Sequence, residues 1–175
     1  MIANAPDSEL KGIGNPRIEE AFHKHLPPGT VLVPAPWAEY VAFAVEQPVV
    51  RAQVRAGIYD LSTIQHELLT VAWSWPRVRM VAVCLDLIRW HMAPVPLMFG
   101  FGYAQAVALH EAHHIKHHVE DARNLDEQLK RELECNEALE AHHPEIARLS
   151  ERAAQLSPTI RRVMSRAERI GGHHA

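Results

Sequence analysis

Apolar side chains recur at helical spacing along most of this 175-residue chain. Residues three and four apart lie on one face of an α-helix, so this spacing predicts helices that each bury one face. Capping and helix-breaking residues divide the chain into separate helices. Six helices are predicted over residues 17–25, 37–45, 48–56, 64–72, 78–90 and 103–123. A seventh is predicted to begin at a cap at 124 or 126 and to end at 142, an eighth begins at 144, and the last spans 158–170. The one candidate strand is Val31-Leu32-Val33.

This pattern predicts a mainly α-helical fold with at most a small strand element near residues 31–33. The chain is long enough to bury a core without disulfides, and one compact domain is expected over residues 16–175. Residues 1–15 contain the helix breakers Pro6 and Gly12 and are predicted to form a flexible N-terminal arm.

The net charge of −3, counted with neutral histidine, gives no general reason to expect nucleic acid or an anionic membrane as a partner. The arginines of the last predicted helix are interpreted as a solvated face. Cys84 and Cys135 form no disulfide framework, and the first residues lack the pattern of a signal peptide. A reducing, cytoplasmic setting is therefore predicted. The sequence carries no signal for an oligomeric state.

One stretch, Met92 to Leu109, has no charged residue and is nearly long enough to span a bilayer. Pro94, Pro96, Gly100 and Gly102 interrupt it. Because uncharged length alone does not make a membrane span, this stretch is predicted to be a buried loop that leads into a core helix.

The clearest chemical signal is a run of five histidines within residues 110–118. His110, Glu111 and His114 fit the pattern H-E-x-x-H, and the two histidines share a face of the predicted helix. Both imidazoles could bind one zinc ion, with Glu111 as the general base for a zinc-activated water that attacks a peptide carbonyl. The other histidines of the run are expected at the surface or around the site: His113, His117 and His118.

A catalytic zinc ion needs a third protein ligand, and the next predicted helix offers three carboxylates, Glu132, Glu134 and Glu137. Glu132 and Glu134 are about 200° apart on a helix, so both cannot face one metal ion. Glu132 shares a face with Asn136, whereas Glu134 shares one with Glu137. Either polar face is compatible with the sequence pattern.

The polar side of the histidine helix could instead be a solvated surface. One side of this helix carries an apolar stripe formed by Ala108, Ala112, Ile115, Val119 and Ala122. The polar residues lie mostly on the other side: His110, His114, His117 and Asp121. A chance H-E-x-x-H is expected in about one chain in ten of this composition. The residues alone leave both interpretations open.

The segment over residues 100–145 resembles the ImmA/IrrE-type metallopeptidases, which are gluzincins, zinc peptidases that use two histidines and a glutamate. The resemblance is carried by H-E-x-x-H at residues 110–114 and by Glu132-Leu133-Glu134-Cys135-Asn136 on a second helix. The chain departs from the family at Ala112-His113, where Leu-Gly or a similar pair is usual, and at Cys135, where alanine is expected.

This resemblance implies a zincin-like pair of site helices, with the metal site within residues 103–143. It implies zinc as the cofactor, held by His110, His114 and Glu132, and a protein or peptide as the substrate. Glu134 is the neighbour that could substitute for Glu132. A more distant gluzincin pattern, N-E-A, would select Glu137 instead.

Two other classes of protein also fit parts of the sequence. The pattern E-x-x-H occurs at Glu111/His114 and again at Glu140/His143, and such pairs resemble those of di-iron carboxylate helical bundles. A non-enzymatic helical assembly or adaptor protein would need no site, and its histidines would form a surface or a subunit contact. The metal content of the purified protein separates the three, because they predict zinc, iron and no metal.

Overall fold

The computed structural model describes residues 14–171, which form a mainly helical fold with one small sheet. The helices in this range are α1 (Asn15–His25), α2 (Trp37–Ala44), α3 (Pro48–Arg55), α4 (Ile64–Glu67), α5 (Leu85–Met92), α6 (Leu97–His117), α7 (Leu125–His142), α8 (Pro144–Leu156) and α9 (Pro158–Gly171). The strands are β1 (Val31–Pro34), β2 (Ala72–Trp75) and β3 (Met80–Val83). The predicted fold class is confirmed. Most of the predicted arm over residues 1–15 lies outside the described residues.

The sheet has the order β1-β3-β2, with β1 parallel and β2 antiparallel to β3. A 3-10 helix over Pro76–Val78 joins β2 to β3, and Arg79 completes the reversal with a φ of 51°, in the left-handed region. Val81 and Val83 of β3 are fully buried, so the middle strand anchors the sheet to the core.

The strand expected near residues 31–33 is present, but it is joined by two further strands that were not predicted. Strand β3 lies in a segment that the sequence pattern assigned to a helix, whereas β2 overlaps a predicted helix only at Ala72. The helices predicted over 64–72 and 78–90 are wrong in part. Helix α4 ends at Glu67, and β3 precedes the start of α5 at Leu85. Periodicity alone cannot separate a four-residue apolar strand from a piece of buried helix, and pairing with distant strands decides the outcome here.

Helix α6 contacts α1, α7, α8 and β2. It begins at Leu97, earlier than predicted, and passes through Gly102, where an added Cβ would overlap the side chain of Leu149 on α8. This glycine therefore permits the close approach of α6 and α8. The helix also ends earlier than predicted, at His117, and Val119 is 85% exposed instead of continuing the apolar stripe.

Helix α7 starts where the sequence places a cap. The side-chain oxygen of Asn124 accepts a hydrogen bond from the Glu127 backbone N–H at 2.9 Å, which satisfies one of the free donors of the first turn. The predicted starts of α8 at Pro144 and α9 at Pro158 are also confirmed.

Helix α9 is attached to α4 through a buried carboxylate. Glu67 is 1% exposed, and it forms ion pairs with Arg162, at 2.7 Å, and with Arg166. The interpretation of the α9 arginines as a solvated face is therefore wrong for Arg166, whose side chain is 25% exposed, whereas Arg162 is 53% exposed although it is paired. None of the helices over residues 14–171 combines the length and apolar character needed to cross a membrane.

Candidate metal centre

Helices α6 and α7 bring two imidazoles and one carboxylate together. His110 Nε2 lies 2.8 Å from Glu132 Oε2, and His114 Nε2 lies 3.3 Å from Glu132 Oε1. The two Nε2 atoms are 3.2 Å apart. His110 and His114 are one turn apart on α6, and Glu132 faces them from α7. The structure thus places the three predicted ligands side by side.

This part of α6 is not a solvated surface. The side chains of His110 and His114 are 16% and 9% exposed, and Glu111 is buried. The alternative that this polar face points into solvent is therefore wrong for these residues, although His117 is exposed. Burying polar groups is costly unless they are paired, and these side chains are paired with one another.

Each imidazole has a further partner on its other nitrogen. His110 Nδ1 donates a hydrogen bond to Asn136 Oδ1 at 3.1 Å, which leaves the lone pair of Nε2 free for a ligand. His114 Nδ1 lies 3.0 Å from His118 Nδ1, and His118 Nε2 lies 3.5 Å from Glu134 Oε2. These partners fix the orientation of the two imidazole rings.

The charges of the site influence one another. Burial acts to lower the pKa of His110, but the hydrogen bond to Glu132 and the charges of Glu111 and Glu132 raise this pKa overall. Burial acts to raise the pKa of Glu132, but the hydrogen bonds from His110 and His114 hold it well below its usual range. Glu132 is therefore ionised and attracts positive charge, either a proton on imidazole or a metal cation.

Cys135 is another potential ligand near the two histidines. Its Sγ and one ring nitrogen each from His110 and His114 lie within 4.8 Å of one another. Glu132 is nevertheless the better candidate, because it is at hydrogen-bond distance from one Nε2 atom and only slightly farther from the other, and it lines the large cleft described below. The Cys135 thiol lines a different pocket, and burial raises its pKa, which disfavours the thiolate that metals bind.

The other two carboxylates considered as third ligand have different surroundings. Glu134 faces His118 and lies 3.8 Å from Lys130. Glu137 is exposed. Asn136, which shares a face of α7 with Glu132, contacts His110. The face of α7 that carries Glu132 and Asn136 is thus the one that meets α6.

Glu111 is placed beside the metal-ligand candidates and next to the sheet. Its carboxylate accepts a hydrogen bond from the Ser74 hydroxyl of β2. Burial raises the pKa of Glu111, while the positive charges of His110 and His114 and the bond from Ser74 oppose this shift. A carboxylate with a raised pKa, beside a potential metal site, is suited to accept and return a proton.

These side chains line a cleft of about 760 Å³. One wall is β2, with Trp73, Ser74 and Trp75, and α9 contributes Val163 and Met164. Strand β2 is last in the sheet order and pairs with β3 alone among the described strands, so its other edge has no strand partner among them.

The β2 wall was not foreseen from the sequence. The alternation Ala72-Trp73-Ser74-Trp75 is a weak strand signal, because four residues also fit the end of a helix. No feature of the sequence indicated that α9 lines the cleft, since its position there depends on how the last helix packs against the rest of the fold. His118 was expected around the site, and its position one turn after His114 is consistent with the contact observed.

A second and smaller cavity, of about 160 Å³, lies between α6 and α7. It is lined by His113, His117, His142 and His143, among others. Of the two E-x-x-H pairs, Glu111/His114 lines the cleft, whereas His143 lines this second cavity and Glu140 is exposed.

No family model, no curated protein and no solved structure matches this chain. The membership in a zinc-peptidase family that the sequence resemblance implies therefore stays a prediction.

Proposed function

We propose that this protein is a zinc-dependent metallopeptidase that hydrolyses a peptide bond in a protein or peptide substrate. The observation that carries the proposal is the convergence of the His110 and His114 Nε2 atoms on Glu132, beside the buried Glu111. Two nitrogens bound to one tetrahedral zinc ion at about 2.0–2.1 Å are separated by roughly 3.3 Å. The separation of 3.2 Å between the two Nε2 atoms matches this value.

The donor set fits zinc. Two imidazole nitrogens and one carboxylate oxygen are found in catalytic zinc sites, and three protein ligands leave a fourth position for water or substrate. Asn136 supplies the partner that a zinc-binding imidazole normally has on its other nitrogen. His110, His114 and Glu132 would hold the ion.

The residues around the site have the properties that peptide hydrolysis requires. Zinc, when bound, would act as a Lewis acid and lower the pKa of a water molecule. Glu111 would accept a proton from the attacking water and return it to the leaving amine, for which its raised pKa is suitable. The Ser74 hydroxyl would hold the Glu111 carboxylate in place between these two transfers.

The cleft favours an extended chain as the substrate. Strand β2 offers an edge along which a peptide can add as a further strand, with main-chain hydrogen bonds that do not depend on sequence. Trp73 and Trp75 line the same wall and provide apolar surface for its side chains. A cleft of about 760 Å³ accommodates a short unfolded segment, not a folded domain.

A cytoplasmic setting is part of this proposal. Cys84 and Cys135 are both free and buried, which is typical of proteins from a reducing compartment.

The test compares the zinc-loaded wild type with Glu111→Gln on a mixture of unstructured peptides, with new peptide termini detected by mass spectrometry. The amide keeps the shape of Glu111 but cannot accept the proton, so zinc should be retained while the rate falls by about 10²–10⁴. Glu137→Gln, at an exposed position on α7, is the matched control and should cleave at the wild-type rate.

Three results would contradict the proposal. Equal rates for the wild type and Glu111→Gln would exclude Glu111 as the base. Purified wild type that contains iron in place of zinc would favour the di-iron alternative. Wild type that neither binds zinc nor cleaves any peptide would favour an adaptor or assembly protein.

A further inference from the structure

Helix α6 carries a second pair of imidazoles outside the candidate peptidase site. His113 and His117 are one turn apart, and each follows a histidine of the first pair by three residues, or about 60° around the helix. Their rings are stacked, with centroids 4.2 Å apart and an angle of 28° between the planes. They therefore form a stacked pair on a neighbouring face of α6.

This pair lies on the wall of the 160 Å³ cavity, which we call the histidine pocket and define by His113, His117, His142, His143 and Cys135. Two histidines from the end of α7, His142 and His143, line the same cavity, and Cys135 belongs to the buried part of its wall. The pocket thus gathers four imidazoles and one thiol.

We propose that the histidine pocket binds a second transition-metal ion, and that this ion is zinc. Imidazole nitrogen is a donor that zinc prefers, and a histidine pair one turn apart supplies two such donors from one helix. His113 and His117 are the core ligands, and His142 or His143 completes the set.

The position of the pocket in the fold favours a cation. His117 and His142 are the last residues of α6 and α7, and helix C-termini carry partial negative charge. Lys116 also lines the pocket, but it is exposed, and its long side chain can extend into solvent.

Binding here requires side-chain movement. Within residues 14–171, the group of three donor atoms within 4.8 Å of one another consists of His110, His114 and Cys135, and the four imidazoles of the histidine pocket form no such group. His117, His142 and His143 are exposed and can rotate toward an ion, at the cost of some side-chain entropy. The second zinc is therefore bound more weakly than the first.

The experiment measures zinc stoichiometry by equilibrium dialysis of the full chain, purified without an affinity tag, at micromolar free zinc. His173 and His174, outside the described residues, are replaced by alanine in every sample so that they cannot contribute. We expect two zinc ions per chain in this parent protein. His113→Ala/His117→Ala should keep one, and His110→Ala/His114→Ala should also keep one.

Two further variants sharpen the test. His142→Ala/His143→Ala changes only exposed side chains and should weaken the second zinc by about tenfold or more, since even supporting residues of metal sites typically matter that much. His23→Ala removes an exposed histidine of α1 and should bind zinc as the parent does. Circular dichroism checks that each variant is folded.

The proposal is overturned if His113→Ala/His117→Ala binds as much zinc as the parent. It is also overturned if His23→Ala loses as much bound zinc as the variants of the histidine pocket. These outcomes are separate from the peptidase proposal. That proposal fails if His110→Ala/His114→Ala retains the full zinc content, whatever the histidine pocket binds.

Discussion

The Nε2 atom of His110 lies 2.8 Å from Oε2 of Glu132, a residue 22 positions later in the chain and on a different helix. The other oxygen of the same carboxylate lies 3.3 Å from His114 Nε2. One side chain of α7 thereby faces both histidines of the H-E-x-x-H pattern. This contact exists only if α6 and α7 pack as described. Variants at Glu132 therefore test both the packing of the two helices and the proposed zinc site.

We predict that Glu132→Ala lowers zinc affinity by about 100-fold or more, because it removes a ligand and not merely a supporting residue. Asn136→Ala should lower zinc affinity by about 10- to 100-fold, since it removes the hydrogen bond that orients His110. Competition with a zinc-binding dye measures both effects.

Glu134→Ala and Glu137→Ala are the controls for that prediction, because they carry the same charge change on the same helix. Glu137→Ala should stay close to the wild-type zinc affinity, and Glu134→Ala, which loses the contact with His118, should lower this affinity less than Glu132→Ala does. Loss of zinc in either control, with Glu132→Ala unchanged, would show that α7 meets the metal with a different face.

We predict that zinc affinity decreases as the pH falls, starting above the ordinary histidine pKa of 6.5. The pKa of His110 is raised by Glu132 and Glu111 against the effect of burial, so protons compete with zinc at a higher pH than at an ordinary histidine. NMR titration of the metal-free protein should place the His110 midpoint above 6.5. A midpoint below that value, or a zinc affinity independent of pH, would contradict the geometry of the His110–Glu132 pair.

We predict that His91 makes the metal-free protein less stable in acid. His91 is fully buried on α5, and burial lowers its pKa to about 4 from 6.5, against a smaller opposing effect of the His66 backbone. Between these pH values the unfolded chain binds a proton that the folded chain does not. The free energy of unfolding therefore rises with pH over this window, by about 3 kcal/mol in total.

His91→Met keeps a side chain of similar volume without a titratable group, so it should remove this part of the pH dependence. Denaturant unfolding at several pH values between 4 and 7 measures the slope. The matched control is His23→Met, at an exposed position. If His91→Met keeps the wild-type slope, His91 does not cause the acid sensitivity.

We predict that Gly102→Ala destabilises the fold despite the better helix propensity of alanine. The added Cβ would overlap Leu149 on α8, and overpacking typically costs about 1–3 kcal/mol, whereas the propensity gain is about 1 kcal/mol. Denaturant unfolding of Gly102→Ala, Leu149→Ala and the double variant gives the coupling between the two positions.

The double variant should be more stable than the sum of the single changes implies, because Leu149→Ala makes room for the new methyl group. Gly171→Ala is the control, since a Cβ there would meet nothing within 4 Å. Additive effects at Gly102 and Leu149 would mean that α6 and α8 are not in close contact at this point.

Local signals in the sequence were enough to predict most helices and one half of the site. The prolines at the start of α8 and α9 and the Asn124 cap each act within a single helical turn. The starts of these helices can therefore be predicted from a few neighbouring residues. The same holds for His110 and His114, whose shared face follows from helix geometry alone. The pairing of Glu132 with Asn136 on one face was predictable for the same reason.

Tertiary structure decided which face of α7 meets α6, because the sequence pattern allowed either the face of Glu132 or that of Glu134. It also decided that residues 72–75 and 80–83 are strands, since a four-residue strand exists only through hydrogen bonds to strands elsewhere in the chain. The cleft beside Glu111 depends on that sheet. The spacing of apolar residues within a segment shows which of its residues share a face. It does not show which other segment that face packs against, because this depends on contacts between residues far apart in the chain.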